Sequence, residues 1–160
     1  MSEISRVALF GKLNSVAYKA IEGATVFCKL RGNPYVELEH WLMQLFNAQD
    51  SDLHRIVRHF NIDSARLTAD FTAELDRLPR GATSITDLAE NIADSVERAW
   101  VYATLKFGES PVSTGRLLFG RLKPRSLANR LLCISSPCAR IRPSVTVHDY
   151  APIRSALYDA

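Results

Sequence analysis

Asn14–Phe46 reads NSVAYKAIEGATVFCKLRGNPYVELEHWLMQLF, and this stretch decides the fold. Asn14 is a good helix N-cap, because its side-chain oxygen accepts from an otherwise orphaned amide of the first turn. Apolar residues then recur at helical spacing at Ala17, Ala20, Ile21, Ala24, Phe27, Cys28 and Leu30. Gly32 supplies a left-handed residue to end the helix, and Pro34 forbids its continuation. Tyr35-Val36 is then a short extended link, and Glu37–Asn47 is helical again.

The same device returns at Thr86–Leu122, TDLAENIADSVERAWVYATLKFGESPVSTGRLLFGRL, with Gly108 and Pro111 as the break. One offset pairs Ile21, Glu22, Ala24, Val26, Phe27 and Leu30 with Val96, Glu97, Ala99, Val101, Tyr102 and Leu105. Past the glycine the offset grows by one, so that Val36 meets Val112 and Leu42 meets Leu118. Toward the start it is expected to shrink by about a turn, with Thr86 as the cap and a longer second helix. Two copies of one helical unit are expected to pack on each other, since neither buries its apolar face alone.

The 160 residues suit one domain that buries roughly two-thirds of its unfolded surface. An apolar share of 47% and a charged share of 23% are those of an ordinary globular protein. The net charge of +3 is less informative than its placement. Ser110–His148 holds no acidic residue, yet carries Arg116, Arg121, Lys123, Arg125, Arg130, Arg140 and Arg142. A solvated basic surface explains that stretch, and a docking face for an acidic partner is the sharper reading. No aromatic-basic interleaving points to nucleic acid. Three cysteines, Cys28, Cys133 and Cys138, are odd in number and irregularly spaced, which argues for a reducing compartment. Neither a cleavable leader nor an apolar run of about 20 residues is present, so the cytoplasm is expected.

Residues 1–13 precede the first repeat. Either Ser2 or Ser5 starts a short helix there. Ile4, Val7, Ala8 and Gly11 share a face, while Leu9, Phe10 and Leu13 fall off it. A helix apolar around so much of its circumference is either sandwiched or leaves one side for something else to cover. The first repeat, 14–78, continues with a helix capped by Ser51 that turns Leu53, Ile56, Val57 and Phe60 inward. Another is capped by Asp63 and turns Leu67, Phe71, Leu75 and Leu78 inward. Pro79-Arg80-Gly81-Ala82-Thr83 is the linker, and Ile85 stands where a hydrophobic staple would. The second repeat, 84–134, adds short helices over Thr114–Leu122 and Ser126–Ile134, split by Pro124. In the tail, 135–160, Asp149 caps a last short helix ending near Tyr158. Sustained strand alternation is lacking, so the fold is all-α: a pseudo-twofold duplicated helical bundle, two repeats of about four helices, with an extra N-terminal helix.

Catalytic patterns fail one by one. Gly115 and Gly120 have the spacing of a phosphate loop, but Arg121-Leu122 stand where lysine and a hydroxyl residue are needed. His54 and His59 do not share a helix face, and Glu39 and His40 point apart. A Gly-x-Ser-x-Gly elbow is lacking. Glu22 and Glu97 sit at matched repeat positions, which favours a structural role. No active site is expected.

The pattern Gly32-x-Pro34-Tyr35-Val36-x-x-Glu39-His40-x-Leu42 resembles the N-terminal double-repeat domain of the Clp AAA+ unfoldases. Lys19–Thr25 with Cys28, the Glu37–Trp41 variant, and the helix ahead of Asn14 look most like the type VI secretion branch of that family. The resemblance is good over about 5–134; the second copy departs, with Gly115-Arg116 where Glu-His would stand. It implies a hexameric ATPase that disassembles contracted secretion sheath, with ATP and Mg bound by modules outside these residues and no cofactor here. It implies a partner too: a helical N-terminal segment of the larger sheath subunit (VipB/TssC type), bound by a domain that is monomeric in isolation.

Helix-in-groove recognition needs an apolar trough between two helices. The expected walls are Val7, Leu9, Phe10 and Leu13, with Ala17, Ala20, Ile21 and Ala24 beside them, and Ile85, Leu88, Ala89 and Ile92 opposite. Other classes stay open: a general Clp domain docking adaptors or unfolded substrates, and an anion or nucleic-acid binder using the arginines. The first predicts no preference for one helical peptide; the second predicts steep weakening with salt.

Overall fold

The computed structural model describes residues 5–108 and 111–117. The elements run α1 (Arg6–Phe10), α2 (Ser15–Arg31), β1 (Tyr35–Val36), α3 (Leu38–Asn47), α4 (Asp52–His59), α5 (Ser64–Arg77), β2 (Asp87–Leu88) and α6 (Glu90–Phe107). A further helical turn occupies 114–117. Among the described residues the fold is all-α apart from these two-residue strands. The expected helices over 118–122 and 126–134, the tail helix, Cys133 and Cys138 lie outside the described residues.

Local chemistry starts and stops the helices of the first repeat where the sequence places the signals. The Asn14 side chain accepts from the Ala17 amide at 2.9 Å. Ser51 accepts from Leu53, and Asp63 from Ala65 and Arg66. Gly32 ends α2 at φ 70°, and Gly108 ends α6 at φ 65°, both in the left-handed region where a side chain is strained. Removing the first cap by Asn14→Ala is expected to cost about 1 kcal/mol, read as a shift in urea midpoint at unchanged slope.

The core forms between the two long helices and the shorter ones wrapped around α3. Helix α3 is buried almost all round: Leu38, Trp41, Leu42, Met43, Leu45 and Phe46 are all enclosed. It packs on α2 through the small residues of that helix, with Ala17 and Ala24 fully buried. Gly23 lets Gln44 approach so closely that a Cβ there would stand 3.1 Å from its Oε1. The inward residues of α4 and α5 are Leu53, Ile56, Val57, Leu67, Phe71 and Leu75, as their spacing predicts; Phe60 and Leu78 are half-buried.

Two parallel pairings interleave the copies. Tyr35 and Val36 pair with Asp87 and Leu88, through the Thr86 amide to Pro34 oxygen (2.7 Å) and the Ala89 amide to Val36 oxygen (3.0 Å). At the other ends of the long helices, Leu13 pairs with Val112. The Val112 amide donates to Lys12 oxygen (2.7 Å) and the Asn14 amide to Val112 oxygen (2.9 Å). Each long helix is therefore entered from one pairing and left into the other.

This corrects the expected start of the second long helix. It begins at Glu90 with Ala89 as its cap residue, not at Thr86. Residues 86–88 are held extended by the pairing with β1, which a local cap signal does not reveal. The repeat offset does not shrink at this end, because Leu13 and Leu88 occupy matching places before the two helices. Helix α6 has 18 residues against 17 in α2, a difference of one residue rather than a turn. Ile85 accordingly precedes a strand and is no staple.

Candidate functional site

Helix α1 is one and a half turns long and lies against α6. Its sequence is apolar on several sides, and its placement sorts them. Leu9 and, just beyond the helix, Leu13 turn into the core, Phe10 is half-buried against it, and Val7 is 84% exposed. Arg6 holds the start of α1 to β2 with two hydrogen bonds to the Asp87 carboxylate, at 2.8 and 2.7 Å. The ammonium of Lys12, at the other end, lies 5.9 Å from the Trp100 ring on α6. Arg6 also holds the Asp87 carboxyl below its usual range, with the Leu88 amide adding to the effect. Both groups are about half exposed, so the pair sets position more than stability.

This arrangement brings Val7 and Phe10 to the same end of the molecule as Ile85 and Leu88. Of the twelve expected groove residues, five keep surface: Val7 is exposed, and Phe10, Ile85, Leu88 and Ala89 are half-buried. The other seven are core. Leu9, Leu13, Ala17, Ala20, Ile21, Ala24 and Ile92 are each at most 9% exposed. The small residues of α2 do admit a close helix, and that helix is the chain's own α3. Arg6, Asp87 and Trp100 were not among the expected residues. Their roles come from contacts far apart in sequence, and only the position of Arg6 on the leading helix hinted at them.

Two groups capable of chemistry, His40 and Cys28, are committed to structure. His40 is fully buried at the third position of α3. Its Nδ1 accepts from the Glu37 amide at 3.0 Å, while the Glu37 side chain accepts from the amide of His40. Its Nε2 faces Asn33 Oδ1 at 2.9 Å, and Asn33 Nδ2 donates to Pro79 oxygen at 2.7 Å. With Nδ1 accepting, Nε2 carries the proton, and the ring is neutral. Burial pushes the His40 pKa down to about 4, and the charge of Arg31 adds to that. The Cys28 thiol is buried beside the Asn33 and Tyr35 carbonyls, at 3.3 and 3.2 Å. Burial, followed by the charge of Glu37, pushes its pKa up, which keeps it from acting as a thiolate nucleophile. Among the described residues, no three His, Cys, Asp or Glu side chains gather as a metal site. No described helix is long and apolar enough to cross a membrane.

Of the seven basic residues in the acid-free stretch, only Arg116 falls among the described residues. It is buried at 4% exposure and donates to the Pro111 carbonyl, so it offers no open anion site.

The chain is 63% identical over 142 residues to the AAA+ ATPase ClpV1 of Pseudomonas aeruginosa, an alignment covering 89% of this chain and 16% of that protein. The chain thus spans about a sixth of the length of this relative. A solved ClpV structure, from work on the coevolution of the ATPase ClpV, the TssB-TssC sheath and the accessory HsiE protein, superposes with TM-score 0.84. It is 64% identical and covers 88% of this chain and 86% of that one. A ClpV N-domain solved in complex with VipB peptide has TM-score 0.79 at 21% identity, over 100% of this chain and 98% of that one; at that identity the likeness is one of fold. The family model for the Clp repeat (R) N-terminal domain matches residues 12–133. Interleaved long helices, left-handed glycine caps and the Tyr-Val-x-x-Glu-His core agree with that match, and the chain belongs to the Clp repeat N-terminal domain family.

Proposed function

We propose that this chain is the recognition domain of a type VI secretion ATPase of the Clp class. It holds a helical N-terminal segment of the larger sheath subunit in an apolar trough beside α1, so that the whole protein, a hexameric ATPase, can disassemble contracted sheath for reuse. The nucleotide chemistry belongs to modules outside these residues, and this domain itself carries out no catalysis. One observation carries the reading. A chain this close to ClpV1 places a short helix ahead of the repeats and leaves Val7 in solvent beside half-buried Phe10, Ile85 and Leu88. These residues, with Ala89, are the surface that a ligand helix touches. The buried seven support that surface from beneath.

Burying several hundred Å² of apolar surface against a short helix gives roughly micromolar affinity once ordering costs are subtracted. Such strength suits a remodeller that must release what it grips. A titration of this chain with a sheath N-terminal peptide tests the reading. Ile85→Glu and Val7→Glu are each expected to weaken binding about tenfold or more, with far-UV circular dichroism unchanged. Leu13→Glu is not a clean test, because a charge at that buried site unfolds the domain. Unaltered affinity in both surface variants would move the site off α1. Equal competition by unstructured proteins would instead favour a general docking domain.

A further inference from the structure

The two long helices carry matching exposed ridges that the trough beside α1 does not use. On α2 the ridge is Val26 and Leu30, 60% and 81% exposed; on α6 it is Val101 and Leu105, 39% and 82% exposed. These four are the matched repeat positions, each pair four residues apart on one helix face. The charges around them differ in sign. Lys19 and Lys29 outnumber Glu22 on the α2 face, whereas Glu90, Asp94 and Glu97 outnumber Arg98 on the α6 face. All seven are exposed, and none is in an ion pair with another described residue.

We propose that copies of this chain meet head to tail, with the α2 ridge of one copy against the α6 ridge of the next. Ridges of opposite charge favour this contact over α2 on α2 or α6 on α6, where like charges face each other. An antiparallel crossing centred on Val26 and Val101 keeps Glu22 away from Glu97 and sets Lys29 against Glu97 and Asp94. Because the two ridges are different surfaces, the contact is heterologous and continues from copy to copy until a ring closes. Four apolar side chains bury too little for a permanent dimer, so the isolated chain is monomeric at micromolar concentration. Tethering in one assembly raises the local concentration to roughly millimolar, where such a contact is populated.

Sedimentation equilibrium of this chain tests the proposal. Association is expected with a dissociation constant on the order of 0.1–1 mM, weakening as salt rises. Leu30→Glu and Leu105→Glu are each expected to reduce it at least tenfold, with helical content unchanged, because both side chains are exposed. Mixing the two variants is the decisive arm. Each retains the ridge that the other lacks, so the mixture forms one-to-one dimers that extend no further. Wild-type chain that stays monomeric at 1 mM overturns the proposal. So does either variant that associates alone as the wild type does, or a mixture that behaves like its components.

Discussion

Trp41→Ala is expected to destabilise this domain by about 3–5 kcal/mol, a large part of the roughly 5–15 kcal/mol that holds a domain folded. Trp41 is 1% exposed on the most enclosed helix, and its indole N–H donates to the Ala17 carbonyl of α2 at 3.3 Å. Ala17 and Ala24 leave no side-chain volume of their own to collapse into the space. Truncation therefore opens a cavity between α2 and α3 that relaxation cannot close, and the indole's hydrogen bond goes with it. Urea unfolding followed by circular dichroism measures the cost. A loss under about 1 kcal/mol would mean that α2 and α3 are not held together by this side chain.

Acidification is expected to act through His40. Its folded pKa of about 4 lies below the ordinary value of 6.5, so the fold prefers the neutral ring. Stability is therefore fully present above about pH 6.5 and declines as pH falls toward 4, where the unfolded chain binds a proton that the folded chain refuses. The full window corresponds to about 3 kcal/mol at most. A proton on Nδ1 would face the Glu37 N–H where a lone pair now accepts from it, so that hydrogen bond is lost, while Nε2 goes on donating to Asn33 Oδ1. Urea midpoints measured from pH 7.5 to 4 check this; the His40→Gln variant is expected to be less stable at neutral pH and to flatten the profile. A wild-type profile that is level across this range would contradict the neutral buried ring.

The first repeat was legible because its signals are local. Asn14, Gly32, Ser51 and Asp63 act within a turn of where they stand, and their side chains or dihedrals do what their types imply. The start of α6 was not legible. Thr86 followed by a periodic run reads as a cap, and only the distant partner Pro34–Val36 makes that backbone extended. The trough was half legible. Helical spacing reveals that the leading helix is apolar on several sides, but not which side meets α6. Leu9 thus goes inside and Val7 outside, without any difference in residue class to foretell it. Small residues on α2 announced a close neighbour without saying whether it was internal or foreign.

The crossed pairings around the long helices bear on how the chain acquires its shape. One ladder waits for residue 88 and the other for residue 112, so the two ends of α2 are not tied in their final places until the second copy is made. A duplicated sequence usually suggests two modules that mature independently. Here the halves clasp each other's ends, so a ribosome must release nearly the whole span before either becomes a finished object, and a fragment cut at the Pro79–Thr83 linker would be left with open strand edges in search of a mate.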